Sequence, residues 1–363
     1  MRDSVGAGGE EERAAAGTTI NPTANASATL LMHLETAFAA RRLEYDRAMA
    51  ELPVSRDDVE RAAEVVRRHL HRTPTLPCRT LGPDVFLKAE LLQRTGSFKP
   101  RGVLNNLASL APEEKGRGVI AISAGNHAQA VAWGAAEEGL DALVVMWQGA
   151  SEAKLAATRG YGATIDLEAR NPAEAFERLA VLREQTRRTL VHPFDAPLTI
   201  AGQGTVGLEI LEDVPDVATI VVPIGGGGLI SGIAVAAAGR ARVIGVEPER
   251  STAMHSALAA GKPVDVVPTS IADGLNAPYA GTNALAIVRE LVDEVVLVSE
   301  DEIGRGFRFL YERAKLACEP AGAASTAAVL AGKVDLEQAG RTVCVVSGGN
   351  VAAPTAAGIL AGS

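Results

Sequence analysis

The sequence predicts an α/β protein. Three times a short apolar run rich in Val and Ile ends in a glycine-bearing turn and continues as a small-residue helix. These units are GVIAIS into AGNHAQAVAWGAAEEGL from Gly118, TIVVPI into GGGGLISGIAVAAAG from Thr219, and RTVCVV into SGGNVAAPTAAGIL from Arg341. Repeated strand, turn and helix units of this kind build parallel sheets covered by helices. Residues 119–190 carry their own alternation of strand and helix patterns. They read as a small domain inserted in a larger one made of 54–118 and 191–363.

At 363 residues, with 47% hydrophobic and 22% charged composition, the chain can bury a large core in two domains. Net charge is −9, from 35 basic and 44 acidic residues, and no block of Lys and Arg is long enough to track a duplex or coat an anionic membrane. Nucleic acid and membrane are therefore excluded as partners. Cys78, Cys318 and Cys344 lack metal-ligand spacing, and Cys344 lies in an apolar run, which suits a reduced cytoplasmic setting. The N-terminal MRDSVGAGGEEERAAAG has no apolar core of the signal-peptide kind, and no apolar run reaches spanning length without Gly or charge.

Residues 1–27 contain too little apolar surface to offset ordering entropy and read as a disordered tail. From 28 to 53, the spacing of Leu30, Leu31, Leu34, Phe38, Leu43 and Tyr45 predicts a helical arm, suited to docking or dimerisation. Ser55, Asp57 and Asp58 supply caps for a helix VERAAEVVRRHL that ends before Thr73 and Pro74. DVFLK at 84–88 reads as a strand feeding LLQRTGSFKPRG at 91–102. There Lys99 stands between Phe98 and Pro100, after the turn-prone Thr95, Gly96 and Ser97 and before a helix predicted over Arg101–Leu110. Pro100 suits a first helical turn, where its missing N–H is not needed. An ammonium at the positive end of a helix dipole, desolvated beside Phe98, shifts towards the neutral amine that forms Schiff bases. This stretch alone fits a solvated surface lysine better.

GVIAIS is a buried strand, and the loop after it exposes N–H groups at a helix start, where an anion binds well. ALVVMW at 142–147 is the next strand. KLAATRGYGATIDL is a helix ended by Gly160 and Gly162 and then a strand; a helix is predicted over 172–189, a loop over 191–197 and a helix in TVGLEILEDV at 205–214. Gly225, Gly226, Gly227 and Gly228 let the backbone approach a bound group and turn N–H groups inward, a nest for phosphate. Their bracketing by a buried strand and an Ala/Ile-rich helix rules out a flexible linker. No Gly-Lys-Ser/Thr follows and the glycines are contiguous, so neither the Walker nor the dinucleotide pattern is present. ARVIGVEPE is a strand containing Glu247, SIADGL a loop with Asp273 and Gly274, and VDEVVLVSEDEI a strand leading into a helix. Ser347 falls at a strand's carboxyl end, where ligands of open parallel sheets collect.

Together, Lys99, SAGNHA at 123–128, GGGGL at 225–229 and Ser347 of SGGN resemble the fold-type II pyridoxal-phosphate enzymes, in the threonine/serine dehydratase and serine racemase branch. The resemblance extends over about residues 60–360 and includes HPFDAP, AGQGTVGLEI and IADGL. It implies a tryptophan synthase β-like fold with two open parallel-type sheets covered by helices, pyridoxal 5′-phosphate as cofactor, an amino-acid substrate and a homodimer. Lys99 matches the lysine that holds the cofactor and moves the Cα proton, with Phe98 flanking the ring. Asn126 matches the group bonded to the pyridoxal 3′-oxygen, and Ser123, Ala124, Gly125, Asn126 and His127 match the segment that receives the substrate carboxylate. Gly225–Gly228 and Leu229 match the phosphate cup, and Ser347 the group facing the pyridine nitrogen. A neutral hydroxyl there makes the ring a weaker electron sink than an aspartate would, which favours prompt loss of a β-leaving group. Singly, His127 reads equally as a helix-start residue, Asn126 as a cap and Ser347 as a turn residue; their joint occurrence decides. Cys318, Glu319 and Cys344 read as packing or supporting residues.

The resemblance implies elimination of water from L-threonine or L-serine to give a 2-oxo acid and ammonia. Serine racemase ranks below it, because the racemases of the family carry a serine base at the position of Ala124, and a methyl group carries no proton. A β-replacement synthase and a non-catalytic cofactor-binding protein are the further alternatives. The chain ends about 13 residues after SGGN, so isoleucine feedback through a C-terminal regulatory domain is not expected. Glu247 matches an acidic cation ligand of the family and Ser251 a carbonyl ligand, but Ala253 stands where the racemases have an aspartate. Hard cations want several anionic oxygens, so the site is expected to be empty or to hold a weak monovalent ion; Glu247 reads equally as a capping residue.

Overall fold

The computed structural model describes residues 51–362; the expected tail and nearly all of the expected arm lie outside them. Helix α1 (Arg56–His69) begins on a reciprocal cap. Ser55 accepts the Asp58 N–H, and the Asp58 carboxylate accepts the Ser55 N–H. Strands β1 (Thr75–Pro77) and β2 (Val85–Ala89) lead to α2 (Lys99–Ala108). The next segment forms β3 (Val119–Ile122), α3 (Asn126–Glu137), β4 (Ala142–Trp147), α4 (Glu152–Gly160), β5 (Thr164–Ala169), α5 (Pro172–Thr186) and β6 (Thr189–Leu190). After α6 (Pro197–Asp213) come β7 (Thr219–Pro223), α7 (Gly228–Ala237), β8 (Arg242–Pro248), α8 (Ala253–Ala260) and α9 (Thr282–Leu291). The chain continues through β9 (Glu294–Val298), α10 (Glu300–Phe309), α11 (Pro320–Leu330), β10 (Thr342–Val346) and α12 (Ala353–Ala361).

These strands make two open sheets. One has the order β1-β2-β10-β7-β8-β9 and the other β5-β4-β3-β6. Every pairing is parallel except β1 with β2. All residues of β3, β7 and β10 are buried, as expected where helices cover both faces. On one face of the larger sheet, Val59 of α1, Ile210 of α6, Ile233 of α7 and Ile287 of α9 pack together; on the other, Phe307 of α10 packs with Ala324 of α11 and Leu87 of β2. The last strand, β10, lies centrally between β2 and β7, pairing Cys344 with both Leu87 and Val221. The strand that precedes the Lys99 stretch and the strand that precedes the glycine cup are thus joined by the strand that ends at Ser347.

The structure departs from the sequence expectations at three helix ends. Helix α5 stops at Thr186 rather than at 189, because Arg187 turns left-handed (φ 52°) and Thr189 and Leu190 pair with β3. Helix α2 starts at Lys99, two residues before Arg101. Helix α6 starts at Pro197, eight residues before Thr205, with proline in its first turn. Gly202 and Gly204 weaken helix propensity there, and tertiary contact overrides it. A Cβ on Gly202 would lie 2.5 Å from the Arg101 carbonyl oxygen of α2, and one on Gly204 2.7 Å from the Gly232 carbonyl oxygen of α7.

Candidate active site

The chain leaving β2 folds back against the end of β10. Ser97 bridges to Gly348, and the Phe98 N–H donates to the Ser347 carbonyl oxygen at 3.2 Å. This sets Lys99 as the first residue of α2, with Nζ donating to the Pro193 carbonyl oxygen at 2.9 Å and lying 5.0 Å from the centre of the Phe98 ring. Burial lowers the Lys99 pKa to about 8, against the opposing pull of the Glu319 carboxylate. Amine and ammonium forms are therefore both accessible near neutral pH.

The turn after β3 supplies the second wall. Ser123 Oγ accepts the Gly125 N–H at 3.1 Å, and Asn126 opens α3. Asn126 Nδ2 donates to Glu319 Oε1 at 2.7 Å, while its Oδ1 accepts from Asn350 Nδ2 at 2.8 Å; Asn350 also donates to the Thr95 carbonyl oxygen. Asn126 thereby ties the SAGN turn to the loops after β10 and before α2. Glu319, which the sequence reads as a packing or supporting residue, lies in this network. It is buried, and burial together with nearby Asp273 raises its pKa to about 7. Its sequence signal was a lone acid beside proline at a helix entrance, within an apolar run. His127 is buried, with Nε2 against the Val191 carbonyl oxygen at 2.8 Å and Nδ1 without a hydrogen-bond partner. Burial and the Lys99 charge lower its pKa to about 3, so the ring is neutral.

The third wall is the glycine turn between β7 and α7. A Cβ on Gly226 would lie 2.4 Å from the Phe194 ring, one on Gly228 2.5 Å from the Phe194 carbonyl oxygen, and one on Gly225 3.2 Å from the Leu275 Cα. Gly227 adopts φ 97°, and its Cβ would meet Met254 Cε at 2.6 Å. No side chain caps α7 at Gly227, so its first-turn N–H groups remain free for an anion. Leu229, in the first turn of α7, and Ser347, directly after β10, the neighbour of β7, are both buried. Phe194 backs the cup and is itself held edge-on between His192 (centroids 4.9 Å apart) and Tyr279 (5.6 Å).

A family model described as pyridoxal-phosphate dependent enzyme matches residues 66–348. The chain belongs to this family. It is 45% identical over 301 residues to the L-threonine ammonia-lyase of Geobacter sulfurreducens, covering 81% of this chain and 75% of that one. It is 43% identical over 310 residues to the catabolic L-threonine dehydratase of Escherichia coli, covering 83% and 94%. The structure of maize serine racemase superposes with a TM-score of 0.80 at 35% identity, covering 83% and 95%. The fold is that of the fold-type II pyridoxal-phosphate enzymes, with pyridoxal phosphate as cofactor. The residues present fit that group: a glycine cradle that any side chain would fill, free helix N-terminal N–H groups for a phosphate, a low-pKa lysine and, just before that lysine, the buried Thr95 Oγ1 and Ser97 Oγ without hydrogen-bond partners.

In this pyridoxal-phosphate enzyme Glu247 is a helix cap. Its Oε1 accepts the Met254 N–H at 2.7 Å and its Oε2 the His255 N–H at 2.8 Å, in the first turn of α8. Burial raises its pKa to about 7. Ser251 Oγ donates to the Leu275 carbonyl oxygen at 2.9 Å. Among the described residues no group of three or more His, Cys, Asp or Glu has the geometry to hold a metal ion.

Proposed function

We propose that this protein is an ammonia-lyase that eliminates water from L-threonine or L-serine, yielding 2-oxobutanoate or pyruvate and ammonia. The observation that carries this reading is the placement of the Lys99 amine. It sits on the Pro193 carbonyl, one residue before the Phe194 that backs the glycine cup, and its pKa of about 8 suits a group that both gives and takes a proton. Relatives sharing 41–45% identity and named for threonine deamination support the same substrate class. Pyridoxal phosphate, when bound, supplies the electron sink that makes the substrate Cα–H bond acidic.

Lys99 removes the Cα proton. Gly225–Gly228 with Leu229 would hold the cofactor phosphate through backbone N–H groups, Phe98 would flank the ring, and Asn126 and Ser347 would serve the pyridoxal 3′-oxygen and the pyridine nitrogen. Ser123, Ala124, Gly125 and His127, with Asn126, form the segment for the substrate carboxylate. Neutral His127 places no extra positive charge beside Lys99 and so leaves its amine form available. Residues 119–190 act as a small domain against a cofactor-binding domain of 54–118 and 191–363. The protein works as a cytoplasmic homodimer, and no helix among the described residues is long and apolar enough to cross a membrane. With Ala253 offering no second carboxylate beside Glu247, a divalent cation would be held weakly, and activity should survive a chelator.

Incubating the cofactor-loaded protein with L-threonine and with L-serine, and following the oxo acids, tests the reading. Absence of product from both substrates would sink it. Serine racemase neighbours make racemisation the competing reading. With Ala124 unable to carry a proton, D-serine should form far more slowly than pyruvate in the same samples.

A further inference from the structure

Two residues after Lys99, Arg101 is completely buried and uses all five of its N–H groups. Nε and Nη2 grip the two oxygens of Glu90, each at 2.8 Å; Nη1 and Nη2 grip those of Glu209 at 2.7 and 2.9 Å; and Nη1 also reaches Thr205 Oγ1 at 3.0 Å. Glu90 is itself fully buried, directly after β2, and Glu209 lies on α6. Lys88, also fully buried, completes the cluster with Nζ 2.7 Å from Glu209 and 3.4 Å from Asp213.

We propose that Arg101 is a positioning residue for the reaction: clamped between Glu90 and Glu209, it fixes the first turn of α2 and thereby the place of the Lys99 amine. Helix α2 has no side-chain cap, and Pro100 contributes no N–H to anchor its start. Backbone bonds at Ser97 and Phe98 fix where the turn begins, and its orientation then depends on the side chain of Arg101 and on the close approach of Gly102 to α6, where an added Cβ would lie 2.8 Å from the Thr199 carbonyl oxygen. A buried ion pair adds little net stability over apolar side chains of the same volume. A planar fork held by two carboxylates in parallel bonds, in contrast, has a single orientation, which an ammonium cannot reproduce.

The inference rests on Lys99 as the group that links to the cofactor. Its test compares Arg101→Met, Arg101→Lys and Lys88→Met in the cofactor-loaded enzyme, reading thermal midpoint, kcat and KM for L-threonine. It also follows, in protein stripped of cofactor, the rate at which visible absorbance appears on adding pyridoxal phosphate. Arg101→Met and Lys88→Met should both lower the thermal midpoint, since each leaves a carboxylate of the cluster short of a partner. Only the Arg101 variants should slow the absorbance change and lower kcat, by about 100-fold for methionine and about tenfold for lysine, with KM within about threefold. Lys88→Met should keep both rates within about threefold. Should Arg101→Met fail to fold, Arg101→Lys against Lys88→Met decides by the same criterion. Unchanged rates in the Arg101 variants, or an equal loss in Lys88→Met, overturn the inference. Absence of visible absorbance in the unaltered protein would instead overturn the role of Lys99.

Discussion

Two strand-to-helix turns face the site, and they are built on opposite plans. In the turn of Gly225–Gly228 the space a side chain would need is already taken at each glycine, by Phe194, Met254 or Leu275. In the turn of Ser123–Asn126 a Cβ on Gly125 would meet nothing within 4 Å. The first turn is a mould and the second a doorway. On the proposed function, a mould suits the part of the ligand that never changes, the cofactor phosphate, and open space suits the part that arrives and leaves at each turnover.

The largest test of this contrast is a pair of alanines. Gly226→Ala forces a methyl into the Phe194 ring, and overpacking of this kind costs about 1–3 kcal/mol; equilibrium dialysis should show cofactor affinity down by at least about tenfold. Gly125→Ala, with φ −148° and open surroundings, should leave the thermal midpoint and cofactor affinity unchanged while raising KM for L-threonine. Equal loss of cofactor binding in the two variants breaks the comparison.

Between the two turns lies the Lys99 amine. Because burial lowers its pKa to about 8, its reactive neutral fraction falls about tenfold per pH unit below pH 8 and levels off above it. The rate of cofactor linkage should follow that curve. Glu319→Gln removes the carboxylate that pulls this pKa up, so the midpoint should move to lower pH; no movement would mean that the two groups are uncoupled.

A smaller effect is expected at Glu247, outside both turns. Its folded pKa is raised from 4.5 to about 7, so its contribution to stability is fully present below pH 4.5 and is lost as pH rises through about 7. Glu247→Gln should flatten that part of the profile of thermal midpoint against pH. Activity should also survive EDTA, and its loss in EDTA with recovery on adding magnesium would reassign Glu247 from cap to ligand.

The mould was easier to read in the sequence than the doorway's supports. Four contiguous glycines between a buried strand and an apolar helix leave the backbone N–H groups as the only chemistry that turn can offer, and β3, β4, β7 and β10 announced themselves as unbroken apolar runs. Lys99 was legible only together with the SAGNHA, glycine and SGGN turns, since its own stretch fits a solvated surface lysine, and its lowered pKa follows chiefly from burial, which only the tertiary structure supplies. Glu319 stayed hidden because its role comes from Asn126, 193 positions away in the chain. The early start of α6 was obscured by Gly202 and Gly204, which reduce local helix propensity and reveal their purpose only when α2 and α7 are packed against them. The edge strand β6 has two residues, too few for any periodicity.

Helix α6 also has a practical consequence. It touches the lysine helix through Gly202 and the cup helix through Gly204 and Gly207, where an added Cβ would lie 2.9 Å from Ala236 Cβ. Its bulk therefore sets the spacing between α2 and α7. Redesign of substrate scope should treat 201–207 as a fixed gauge, and with them Leu275 and Tyr279, which brace the glycine turn directly and through Phe194.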